Sequence, residues 1–142
     1  FDLENGHVIP AMIRKFYEAK ENNTDVVLWG SGEPLREFTY STDIATALLL
    51  LLENYEGEAP INIGTTREVS IKKVSEIISK EIGFTGKVMW DITKPEGQLK
   101  KPSSNQKFLD ICPNFCYTDL ECGLKDTISW FKNSYPNVRG IN

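Results

Sequence analysis

Asp25-Val-Val-Leu-Trp29-Gly30-Ser31-Gly32-Glu33-Pro34-Leu35-Arg36-Glu-Phe-Thr-Tyr40 is the stretch on which the fold turns. Two β-rich runs, 25–29 and 35–40, flank a five-residue loop of Gly, Ser and Pro. That pattern predicts a hairpin. Gly30-Ser31-Gly32 lacks both a third glycine and a following helix, so it reads as a turn and not as a dinucleotide cradle.

Helical patterns surround this stretch. Val8, Ile9, Met12, Ile13, Phe16 and Tyr17 share one helix face and predict a helix over 8–21, with Pro10 tolerated in its first turn. A second helix is expected from Ser41 or Thr42 as N-cap, with Asp43 at its positive end, to about Tyr55. Its run Ile44–Leu52 is apolar nearly all round, so it is expected to be covered on more than one face. A third helix is predicted from an Ser70 cap through 71–82 to a stop at Gly83. A short fourth is expected over 105–112, ended by Pro113. A fifth is expected over 119–134, burying Leu120, Leu124, Ile128, Trp130 and Phe131. Further strands are expected at 60–64 and 87–92. Alternating helices and strands place the chain in the α/β or α+β class.

The composition narrows function. The 142 residues suit one domain, and 40% hydrophobic with 25% charged residues are globular values. A net charge of -4 argues against a phosphate-tracking nucleic-acid binder. The run 44–52 is under half the roughly 20 residues needed to cross a bilayer, so no membrane partner is expected. Cys112, Cys116 and Cys122 beside a single histidine fit neither a zinc site nor a disulfide framework. Reduced thiols in a cytoplasmic protein and no metal are expected.

Several residues carry chemistry by type and place. His7, the sole histidine, exchanges its proton nearest neutrality and suits acid/base work, although an isolated histidine also serves as a surface or packing residue. Arg14 returns to the angular position of His7, with Lys15 about 80° further round; they form either a solvated basic edge or counter-charges for a phosphate. Trp29 and Arg36 frame the Gly loop, where an indole can stack on a base and a guanidinium can chelate phosphate; ordinary strand packing is the alternative. Lys94-Pro-Glu96-Gly-Gln-Leu-Lys100-Lys101 is a loop, either solvated or a flap whose lysines meet a diphosphate while Glu96 accepts hydroxyls. The chain holds no Tyr-x-x-x-Lys, no G-x-S-x-G and no second histidine. Cations and stacking aromatics without redox machinery suggest the substrate half of a larger enzyme.

Gly6-His-Val-Ile-Pro-Ala11, Val27–Phe38, Ile61-Asn-Ile-Gly64, Thr93–Lys101 and Trp130-Phe131 occur in an order and spacing that resembles the C-terminal half of the GDP-L-fucose synthase family, extended short-chain dehydrogenase/reductases. The resemblance implies an α/β substrate-binding portion over 1–142, a small sheet with several helices, with the N-terminal Rossmann domain absent. It implies an NADP-dependent epimerase–reductase converting GDP-4-keto-6-deoxy-D-mannose to GDP-L-fucose, cytoplasmic and homodimeric at full length. It places acid/base catalysis and contact with NADP at His7. It places GDP-sugar contacts at Lys15, Trp29, Arg36 and Glu96, with Lys101 on the pyrophosphate. Glu96 stands where the family often has Asp. The alternatives are another nucleotide-sugar epimerase or dehydratase, such as one for UDP- or dTDP-sugars, and a non-catalytic sugar-nucleotide binding module.

Overall fold

The computed structural model describes residues 1–3 and 6–141. Five helices and four short strands follow one another: α1 (Val8–Asn22), β1 (Val26–Trp29), β2 (Leu35–Glu37), α2 (Ser41–Asn54), β3 (Glu68–Ser70), α3 (Ile71–Ile82), β4 (Val88–Asp91), α4 (Gln106–Ile111) and α5 (Leu120–Ser134). The result is a small α/β fold with two two-stranded sheets. The core is built by α1, α3 and α5 around β1: Ile13 and Phe16 meet Val74 and Ile78, with Leu124, Ile128 and Phe131 closing the far side and Val26 and Leu28 beneath. Aromatic edges complete it, with Tyr17 5.4 Å from Phe131 and Phe16 5.3 Å from Phe84.

The helices follow the sequence pattern closely. Ser70 caps α3 by accepting the Lys73 N–H, and Gly83 takes the left-handed conformation that ends it. Two details differ. The N-cap of α2 is Tyr40, so Ser41 and Thr42 lie inside the helix. Asp43 stands in the first turn, as expected, and also ties α2 to the chain before α5, accepting the Thr118 N–H at 2.8 Å and its hydroxyl at 2.7 Å. Trp130 is 54% exposed, not buried, and stacks on Phe1. Leu48, Leu49 and Leu52 of α2 are also exposed; within this chain only one side of that helix is covered, with Ala47 fully buried.

The expected hairpin does not form. Strand β1 pairs in parallel with β4, Val26 opposite Val88 and Trp29 opposite Asp91, while β2 pairs antiparallel with β3. The cause lies in the Gly loop, whose carbonyls are spent on a helix. Pro34 accepts the Ile71 N–H at 3.0 Å and Gly32 the Lys72 N–H at 2.8 Å, satisfying two of the free donors at the start of α3. Gly30 and Gly32 both have φ near +80°, which side-chain-bearing residues rarely adopt, and the loop swings from one sheet to the other. Residues 60–64 form no strand. Their carbonyls go to side chains: Ile63 accepts the Tyr117 hydroxyl at 3.0 Å and Gly64 accepts Asn105 Nδ2 at 3.0 Å. Strand β3, which the sequence pattern did not suggest, is three residues long and merges with the α3 cap.

Phe16 is fully buried between α1 and its neighbours. Truncation to Ala is expected to cost about 3–5 kcal/mol of unfolding free energy, measured by denaturant titration. A loss below ~1 kcal/mol would show that this packing does not hold the core together.

Candidate functional site

A cleft of ≈ 370 Å³ opens where the Gly loop, β2 and the start of α1 meet, a size within the range of small-molecule sites. His7, Trp29, Arg36 and Glu96 all line it, with Pro34 and Phe38 as apolar walls. Four residues from four separate segments thus reach one space. The indole and the imidazole share it.

Each is placed by its local structure. His7 is the N-cap residue of α1 and is exposed; its carbonyl accepts the Ala11 N–H while its ring makes no cap bond. Trp29 ends β1 on its outward-facing alternation and is 56% exposed, so its ring face is open to the cleft. Two lysines stand within cation–π range of that ring, Lys15 Nζ at 5.8 Å and Lys94 Nζ at 5.5 Å from its centroid. Lys15 also donates to the Val27 carbonyl at 3.0 Å, linking α1 to β1 beside Trp29, and partial burial lowers its pKa. Arg36 sits in the middle of β2, opposite Val69 of β3, and its Nη1 donates to the Leu35 carbonyl at 2.6 Å.

Glu96 crosses from the Lys94 loop to the Gly loop. Its carboxylate accepts the Ser31 N–H, and this bonding holds its pKa below the usual glutamate value. A Cβ on Gly30 would lie 2.8 Å from Glu96 Cγ, so glycine is required there for close approach as well as for backbone angle. The occupant of the Gly loop is therefore a carboxylate of the same chain.

Other expectations resolve differently. Arg14 is neither a solvated edge nor open to a phosphate: its Nε bonds Glu18 at 2.7 Å and its Nη1 bonds the carbonyls of Phe1 and Gly140. Lys101 is exposed and does not line the cleft; it lies on the same loop segment five residues beyond Glu96. Glu37 is a cleft residue that the sequence did not single out; it reaches the cleft as the neighbour of Arg36 on β2. Of the lysines on the cationic loop, Lys94 is the one that stands over Trp29. The three thiols are unbridged, with Cys112 half-buried and Cys116 and Cys122 exposed. Among the described residues no helix is long and apolar enough to cross a membrane.

Residues 1–64 match the NAD dependent epimerase/dehydratase family. The chain is 42% identical over 134 residues to putative GDP-L-fucose synthase 2 of Arabidopsis thaliana, an alignment covering 92% of this chain and 40% of that protein. It is 38% identical over 141 residues to GDP-L-fucose synthase of Dictyostelium discoideum, covering 98% and 44%. The crystal structure of a GDP-L-fucose synthetase from Naegleria fowleri bound to NADP superposes with a TM-score of 0.95 at 44% identity, covering 98% of this chain and 44% of that one. The chain belongs to the GDP-L-fucose synthase family. It spans less than half the length of the curated relatives it matches. The likeness to the Naegleria fowleri structure runs through nearly the whole of this chain.

The Glu96 anchor has a defined pH response. Its pKa is lowered in the folded chain, so the contact is fully present above the ordinary glutamate pKa of about 4.3 and is lost as pH falls through the lowered value. The Ser31 amide proton resonance, followed by NMR, is expected to hold steady down to about pH 4.3 and move only below it. The movement should be absent in Glu96→Gln. A midpoint above the ordinary glutamate value would contradict the anchor.

Proposed function

We propose that this chain is the substrate-binding portion of an NADP-dependent epimerase–reductase that turns GDP-4-keto-6-deoxy-D-mannose into GDP-L-fucose in the cytoplasm. The observation that carries the reading is the meeting of His7, Trp29, Arg36 and Glu96 in one cleft. An exposed indole offers a stacking face to the nucleobase. The Arg36 guanidinium offers bidentate bonds to the diphosphate, and Lys15 and Lys94 surround the indole with positive charge where an anion would enter. Glu96 accepts hydroxyl donors of the substrate with whatever lone pairs Ser31 leaves open.

His7 is then the proton carrier. A ketone acidifies the carbons beside it. A group that returns a proton to the opposite face of such a carbon inverts it, and an imidazole can hold and deliver that proton near neutral pH. His7 has the required freedom: its ring is exposed at the cleft and makes no cap bond.

The residues present do not fit the diphosphate of a dinucleotide. The Gly loop, the one G-x-G in the chain, has its Ser31 N–H already taken by the Glu96 carboxylate and its carbonyls taken by α3, so Ser31 has no free backbone donor to cradle a phosphate. The reading therefore assigns NADP binding to residues outside this chain, with His7 alone beside it, and no step of the hydride chemistry is carried here. Lys101, between Leu99 and Ser103, which are bonded to Leu35 and Glu37 on either side of Arg36, is assigned to the pyrophosphate through the reach of its flexible side chain.

Two measurements on the complete protein test this reading. Arg36→Ala is expected to weaken GDP-sugar binding about 10- to 100-fold, the equivalent of ~1.5–3 kcal/mol for a charge-assisted bond, with the loss shrinking at high salt. His7→Gln is expected to abolish deuterium uptake beside the ketone while leaving GDP-sugar affinity near that of the parent. A thermal-shift panel should rank GDP above UDP and dTDP. Unchanged exchange would remove His7 from the mechanism, and preference for another nucleotide would replace the substrate.

A further inference from the structure

Two glutamates oppose each other in the small antiparallel sheet. Glu37 of β2 is in register with Glu68 of β3, and both are half-buried. Like charges directly across a strand pair destabilise it. One segment of chain, 100–103, answers both. Ser103 donates its N–H to Glu37 Oε1 at 2.9 Å and its hydroxyl to Glu37 Oε2 at 2.5 Å. Lys100 Nζ lies 3.7 Å from Glu68 Oε2, while Glu68 Oε1 is buried with no hydrogen-bond partner. The Ser103 end is thus the tight clasp and the Lys100 end the loose one.

Between the two ends stand Lys101 and Pro102. A residue before proline is confined to extended backbone, and the proline itself has a locked φ. Holding Ser103 therefore determines the course of the Lys101 backbone through a stiff dipeptide. The next backbone attachment upstream is the Leu99 carbonyl, which accepts the Leu35 N–H at 2.8 Å. Glu37 also lines the cleft beside Arg36. The two bonds from Ser103 offset part of the negative charge that this carboxylate presents to the cleft.

We propose that Glu37 is a positioning residue: by clasping Ser103 it holds Lys101 at the rim of the cleft, where the lysine meets the diphosphate of a bound nucleotide. The inference rests on the nucleotide-sugar reading and deepens it, because the clasp selects nucleoside diphosphates over nucleosides. Glu37 acts on the ligand only through the lysine two residues before its partner.

The test is a double-mutant cycle in the complete protein, read as Kd for GDP and, separately, for guanosine. Lys101→Ala and Glu37→Ala are each expected to weaken GDP about tenfold, and the double variant no further, because both remove the same contact. Glu37→Gln keeps an acceptor for the Ser103 N–H and a donor for its oxygen, so it should bind GDP within about threefold of the parent. Guanosine affinity should be unchanged throughout, which separates lost positioning from a cleft that has failed to fold. Additive losses, a Glu37→Ala variant that binds GDP more tightly, or an equal loss of guanosine and GDP would overturn the proposal. If Arg36→Ala weakens GDP and Glu37→Ala does not, the positioning role alone falls. If the parent does not bind GDP, the nucleotide-sugar reading falls and takes this inference with it.

Discussion

The docking of the α3 N-terminus onto the Gly loop governs the arrangement of this chain. A helix begins with backbone donors that have no partner inside it. Here two of them, on Ile71 and Lys72, are met by the Pro34 and Gly32 carbonyls. That pair of bonds withdraws the loop from hairpin geometry and sends β1 and β2 into different sheets. It also leaves Trp29 at the end of one sheet and Arg36 in the middle of the other, with a cleft between them. Without the docking, the two residues would be neighbours on a single ribbon and there would be no enclosed space for a ligand.

The cleft is also a study in charge allocation. Arg36, Lys15 and Lys94 lie in or beside it, and so do Glu37 and Glu96. Each carboxylate already accepts backbone N–H bonds, from Ser103 and from Ser31. Satisfied acceptors repel an anion less effectively than bare ones, since their charge is partly offset by the donor dipoles. The cations are less committed. Arg36 makes one bond to its neighbour's carbonyl, and Lys94 stands over the indole. Such an arrangement favours an anionic ligand with an aromatic part.

The helices were legible because their determinants are local. The three-four spacing of Met12, Ile13 and Phe16, the Ser70 cap and the Gly83 stop each act within a few residues, and the structure reproduces them. Strand pairing was less legible. The run 25–40 has the composition of a hairpin, and only a helix start forty residues later decides otherwise. Residues 60–64 have the alternation of a strand, yet their carbonyls are claimed by Asn105 and Tyr117 from far along the chain. Arg14 shows the same limit for charge: as a residue type it suits a phosphate, and the carbonyls of Phe1 and Gly140 had to be in place before its role was visible.

From its sequence alone this chain is an acidic α/β protein whose helices, cationic loop, lone histidine and stacking candidate Trp29 stand in an order that resembles the GDP-L-fucose synthase family. Those features depend on residue type and short spacing, which sequence records directly. The tertiary structure decided which strands pair, that the Gly loop is filled by Glu96, that Arg14 is committed to backbone, and that Glu37 and Ser103 clasp across 66 positions. These are contests for hydrogen-bond donors and acceptors between distant segments. Their outcome is set by the free energy of the whole folded arrangement, and folding alone brings those segments together.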